Sequence, residues 1–170
     1  MTEGNVDRTN DPIARTLKAL KKNEFLAHFF PKAEEAKQFV LDSIQPGVRV
    51  GLGGSLTLRE MNLVEGLKQK GVHLLDHWDE SLTFEETLQV RKDQLVCDVL
   101  LSSVNALTEK GELVSRDGIG NRTSAMTFGP GKVFLLAGTQ KIVPDLHAAF
   151  GRIKEVAAPM RAKSLNMDLP

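Results

Sequence analysis

The residues that could do chemistry fall in two segments. The first, Gly51-Leu-Gly-Gly-Ser55-Leu-Thr57, follows a short apolar run and precedes a helical pattern. Glycines at such a junction let the backbone turn tightly and approach a ligand, and free N–H groups at a helix start attract phosphate or carboxylate. Gly51, Gly53 and Gly54 would form the cradle, with Ser55 and Thr57 adding hydroxyl donors. The spacing is neither the dinucleotide fingerprint nor a P-loop, since no third glycine and no Gly-Lys-Ser/Thr follows at the required place. A tight strand-to-helix turn reads the same way. Glu60, one helical turn on, is a candidate base or acceptor at the same strand end, or a first-turn acid complementing the helix dipole.

The second segment, 105–122, sits between two apolar runs and mixes polar residues with glycine. It has few apolar residues for a core segment and reads as a small-molecule site. Asn105 stands just past the run 98–102, at the strand end where open α/β sheets bind ligands. Asp117, Gly118, Gly120, Asn121 and Arg122 follow in a cluster where the backbone can bend sharply. Arg122 supplies a planar fork suited to carboxylate or phosphate, and Asp117 would orient it or receive a substrate proton. A hairpin turn explains Asp117-Gly118 but not the whole cluster. Read as exposed, Arg122 is expected to be replaceable by alanine with little cost to folding. Residues 53–57 and 117–122 are expected to line one pocket. Lys141, after the last strand and loop, points to the same sheet edge or into solvent.

Other chemistry-bearing residues carry less. His73 and His77 straddle Asp76 without a further ligand at metal spacing, so they read as surface or rim histidines and no metal is expected. Trp78 reads as a packing or interface residue. Cys97 has no nearby histidine and reads as a buried small hydrophobe.

The elements that must position these residues follow from periodicity. Asp11-Pro12 resembles an N-cap with proline at the first helical position, predicting a helix to about Phe30. Pro31 restarts a second, with Ala36, Val40 and Ile44 on one face, ended by Pro46-Gly47. Strands are predicted over 48–50, 72–75, 98–102, 112–115 and 132–137. Between them, Leu58, Met61, Val64 and Leu67 mark one helix up to Gly71, and Phe84, Leu88 and Leu95 another. Leu146, Phe150, Ile153 and Val156 mark the last. Strands alternating with helices predict a three-layer Rossmann-like α/β fold, with a mainly parallel sheet covered by helices on both faces. Residues 1–45 form an N-terminal helical segment and 46–170 the α/β domain, in a single structural domain overall.

Composition bounds the rest. The chain has 170 residues, 41% hydrophobic and 26% charged, enough to bury one core. Lys+Arg and Asp+Glu both number 22, so no general field attracts nucleic acid or an anionic membrane, and any anion must be gripped locally. A single cysteine and no apolar targeting segment at the N-terminus point to a cytoplasmic protein without disulfides. No cofactor motif is present, so no cofactor is expected. Leu26, Phe29 and Phe30 suggest an arm for a homodimer, or a patch packed over their own subunit's sheet edge.

With these residues in view, the chain resembles the LUD domain family, named for lactate utilisation. The likeness spans about residues 48–165, through GLGGSLTLREM, VLLSSVNALTEKGELVSRDGIGNRTSAMTFGP and KVFLLAGTQKIVPDLHAAFGRIKEVAAPMRAKSL. The resemblance implies a fold like that of ribose-phosphate isomerase, glucosamine-phosphate deaminase and coenzyme A transferases. It also implies a link to lactate oxidation beside partner proteins that carry iron–sulfur clusters. The strand-loop-strand looks more distantly like methylthioribose-phosphate isomerases and related initiation-factor subunits. Those isomerases place a catalytic aspartate where this chain has Asn105, and an amide cannot accept a proton as a carboxylate does. Relatives often continue into a short cysteine-containing tail after a segment like 161–165. Here Leu169-Pro170 carry no cysteine, so a role needing that tail is not expected of these residues. The expectation is a protein of organic-acid metabolism, most directly lactate utilisation, that binds a small anionic metabolite at the strand ends. The alternative is an isomerase- or transferase-type enzyme acting on a sugar phosphate, acyl-CoA or folate-like substrate.

Overall fold

A computed structural model describes residues 11–164. The readings on residues 1–10 and 165–170 lie outside the described residues. The described residues divide into two compact units, one of residues 30–104 and 116–137, the other of residues 11–29, 105–115 and 138–164.

The larger unit carries a four-stranded parallel sheet in the order β2-β1-β3-β6, from β1 (Arg49–Leu52), β2 (His73–Asp76), β3 (Val99–Ser102) and β6 (Lys132–Leu135). In β3 all four residues are buried, as expected of a parallel strand covered on both faces. Its alternation separates two apolar layers. Val99 and Leu101 join Val50 and Leu52 beneath Val40 of α2 (Ala33–Asp42), Leu58 of α3 (Leu56–Glu60) and Leu63 and Leu67 of α4 (Leu63–Gln69). Leu100 joins Cys97 and Ala125 of α6 (Asn121–Thr127) on the other face. The expected Rossmann-like layering is therefore present. The single helix predicted across 58–71 is two, α3 and α4, because Asn62 takes a left-handed φ of +50° between them.

The smaller unit holds a three-stranded sheet β5-β4-β7, from β4 (Ala106–Thr108), β5 (Leu113–Val114) and β7 (Ile142–Val143), with β4 antiparallel to β5 and parallel to β7. Here the segment read as too polar for core is corrected. Ala106, Leu107 and Thr108 are buried, and the polar residues after them are the turn of a hairpin. Gly111, at φ +80°, lets that turn lie under α1 (Pro12–Lys22). A β-carbon there would sit 2.9 Å from backbone atoms of Ala19 and Leu20.

Asp11 caps α1 through Ile13 N and Pro12 occupies its first turn, as predicted. The helix stops at Lys22 rather than Phe30, because Glu24 turns left-handed at φ +67° and no helix resumes before α2. Leu26 is left 92% exposed, with Phe25 and Phe29 also exposed. The last helix, α7 (Leu146–Arg152), passes through a π turn at Ile153–Ala157 into α8 (Ala158–Ser164). Pro159 explains the wide turn: it lacks an N–H to donate back along the helix, and a π turn just before it absorbs the mismatch.

Candidate functional site

The chain leaves β1 for β2 on one side and returns to β3 on the other, so the C-terminal ends of β1 and β3 form the switch point where open α/β sheets bind ligands. The glycine loop emerges there. Gly53 N donates to Leu101 O at 2.8 Å. A β-carbon on Gly53 would lie 2.6 Å from Ser102 Oγ and 3.3 Å from Arg122 Cγ, so a side chain there would have to displace the Ser102 hydroxyl. On Gly54 it would lie 3.0 Å from the Trp78 indole nitrogen. Residues of the two sequence segments, Gly53 and Arg122, are thus neighbours. Ser102 and Ser103, both buried, stand beside them at the end of β3. They escaped the sequence reading, although two hydroxyls closing an apolar strand at a switch point are a legible signal.

Arg122 is held rather than exposed, which corrects the expectation of an easily replaced surface arginine. Its Nε donates to Asp117 Oδ1 at 2.8 Å, and its Nη2 pairs with the same oxygen at 2.7 Å. Nη1 donates to Ser103 O at 2.8 Å and Nη2 to Arg116 O at 3.2 Å. Both charged side chains are about 10% exposed. The other oxygen of Asp117 accepts from Thr123 N at 2.7 Å, satisfying a first-turn donor of α6 that no cap residue reaches. Gly120 precedes that turn at φ +83°.

The other predicted site residues are spread. Gly51 lies inside β1 against Cys97, Gln94 and Leu100, so its missing side chain makes room for packing. Ser55 is buried at the start of α3 and its side chain does not cap that helix, while Thr57 is half-buried. Glu60 is exposed at the end of α3. Gly118 is exposed with open space around it, and Asn121 is half-buried at the start of α6. Asn105 and Lys141 belong to the smaller unit. There Arg152 of α7, which the sequence reading missed, donates to Asn105 O and, at 3.2 Å, to Gln140 O. Burial lowers the Arg152 guanidinium from its ordinary value.

At the outer side of the switch point, Arg59 pairs with Asp76 at 2.6 Å and lies 5.1 Å over the Trp78 ring. His77, read as a rim residue, is buried instead, 3.0 Å from the Gln94 side-chain nitrogen. That nitrogen also donates to Leu52 O and Leu75 O, both at 2.9 Å, tying the ends of β1 and β2 together. Cys97 is buried and its thiol is pushed up by loss of solvent, so it is no ready nucleophile.

Residues 13–170 match the family model of the LUD domain. The chain belongs to the LUD domain family. This family is associated with lactate-utilisation proteins. No curated protein and no solved structure matches the chain. The matched region begins upstream of the motifs at 51–61, so α1 and α2 lie within the LUD domain. Among its described residues, no helix is long and apolar enough to cross a membrane, and no group of three His, Cys, Asp or Glu could hold a metal ion. The cations flanking the glycine loop of this LUD domain, Arg122 and Arg59, are each paired with a carboxylate. Neither guanidinium therefore leaves an uncompensated positive charge at the loop.

Proposed function

We propose that this LUD domain binds a small anionic metabolite at the ends of β1 and β3 and acts in organic-acid metabolism, most directly lactate utilisation. The observation that carries the reading is the close approach of Gly53 to Ser102 and Arg122. A bare backbone, buried hydroxyls and a fixed guanidinium converge where parallel sheets take their ligands. In this reading Asp117 holds Arg122 and the start of α6 in place, and Gly54, Ser55 and Thr57 offer the donors. The lactate link rests on the family, as does the pairing with iron–sulfur partner proteins. A cytoplasmic setting fits the lone buried Cys97.

Thermal-shift titration tests the reading, with L-lactate, pyruvate and other small carboxylates set against sugar phosphates, coenzyme A esters and folates. A ligand at a hundred times its Kd stabilises by about 2.7 kcal/mol, a shift readily measured. Stabilisation by a small carboxylate that Gly53→Ala abolishes supports the site. A response confined to sugar phosphates, coenzyme A esters or folates favours the enzyme alternative, and no response to any of them refutes anion binding there.

A further inference from the structure

Helix α5 (Phe84–Asp93) buries none of its own residues. Its N-terminus is closed by a capping box between Thr83 and Glu86. Phe84, Leu88, Arg91 and Leu95 recur at helical spacing and form one stripe along α5 and the turn that continues it. Ile119 faces them across a groove of about 340 Å³ that Lys92 and Asn121 also line. Phe84 is 74% exposed, Ile119 66% and Leu88 40%. A short helix draws most of its stability from covering such a stripe, and an uncovered one marks a docking face.

The charges select the occupant. The first turn of α5 carries Glu85 and Glu86, and the last carries Arg91 and Lys92. On the face of Leu88, Glu85 and Lys92 lie on one flank and Phe84 and Arg91 on the other. A second α5 laid antiparallel, with the two-fold axis at Leu88, brings the acidic end of each helix over the basic end of the other. Phe84 of each copy then enters the groove of its mate. A patch that complements itself in this way is what a closed two-fold contact requires. We propose that α5 and Ile119 form the interface of a homodimer of this chain, with α5 packed antiparallel on α5 and Glu85 of each copy paired with Lys92 of the other.

Sedimentation velocity of the full chain from about 1 to 100 µM spans the range in which a small interface dissociates. A reversible monomer–dimer equilibrium is expected, weakened at least about tenfold by Leu88→Glu, which sets two carboxylates against each other on the axis. Glu85→Lys and Lys92→Glu should each weaken self-association, and their equimolar mixture should form a heterodimer as tight as the native one. Circular dichroism confirms folding of each variant. A native chain that stays monomeric throughout overturns the proposal and leaves the face to a different protein. A dimer indifferent to Leu88→Glu, or charge variants that show no preference for each other, also overturns it.

Discussion

Replacing Asp117 by asparagine keeps the side chain's shape and removes the charge facing Arg122. The change is severe because both side chains are about 10% exposed, so water cannot take over the lost pairing. Breaking a buried ion pair from one side costs about 3–5 kcal/mol, since the remaining charge is stranded. Here the carbonyls of Ser103 and Arg116 still hold the guanidinium, and asparagine keeps one acceptor oxygen. About 2–3 kcal/mol is therefore expected. For a domain of this size each kcal/mol moves the melting temperature by about 2–4 °C, so Asp117→Asn should melt about 4–12 °C lower. Arg122→Met strands the carboxylate instead. The double variant leaves no charge unpaired and should be less destabilised than the sum of the singles by about 1–3 kcal/mol. Urea unfolding followed by circular dichroism and Trp78 fluorescence measures all four corners of the cycle. If Asp117→Asn melts within about 2 °C of the native chain and the cycle shows no coupling, Arg122 is an exposed fork after all and the clamp is refuted.

Gly111→Ala meets backbone of α1 at 2.9 Å from a residue already at φ +80°, so a loss of about 2 kcal/mol or more is expected in denaturant melts. Gln94→Leu leaves the carbonyls of Leu52 and Leu75 without their donor and should cost about 2–4 kcal/mol, whereas an unchanged urea midpoint would show that the tie is dispensable. Burial raises the Cys97 thiol in the folded state, so that state stays protonated while the unfolded chain ionises. Stability should then fall as pH rises past the ordinary thiol value, and Cys97→Ala should lose that part of the alkaline slope in melting curves. The same burial predicts that a thiol reagent labels Cys97 only as fast as the protein opens, which parallel labelling and unfolding rates would test.

The sheet was legible because burial leaves a period in the sequence. Val99, Leu100 and Leu101 form an unbroken apolar run, as a strand covered on both faces must, and the helix stripes at Val40 and Ile44 or Leu58 and Leu67 mark what covers it. β4 was not legible, since three residues are too few to show a period and the hairpin turn after them is polar. The end of α1 was misjudged because Phe25, Leu26 and Phe29 look like a continuing apolar face, while the backbone has already turned at Glu24. At the candidate site, the residue types of Asp117 and Arg122 could be read, but not that they bond each other. Five residues of separation says nothing about pairing until Gly120 turns the chain into α6. Gln94 and His77 were invisible for a similar reason. A buried amide makes sense only once the carbonyl ends of two strands are known to meet it.

Arg122 grips Ser103 O and Arg116 O, and these residues flank the stretch Asn105–Ser115, which the chain spends in its smaller unit. One guanidinium therefore fastens both crossings, like a clasp closing a loop of thread. Holding the two ends together inside the larger unit lowers the entropy that any length of chain between them must give up, and that entropy grows only slowly with length. The hairpin is thus a graft point. A longer chain between Ser103 and Arg116 is therefore expected to leave the register of the parallel sheet intact for as long as Arg122 holds both carbonyls.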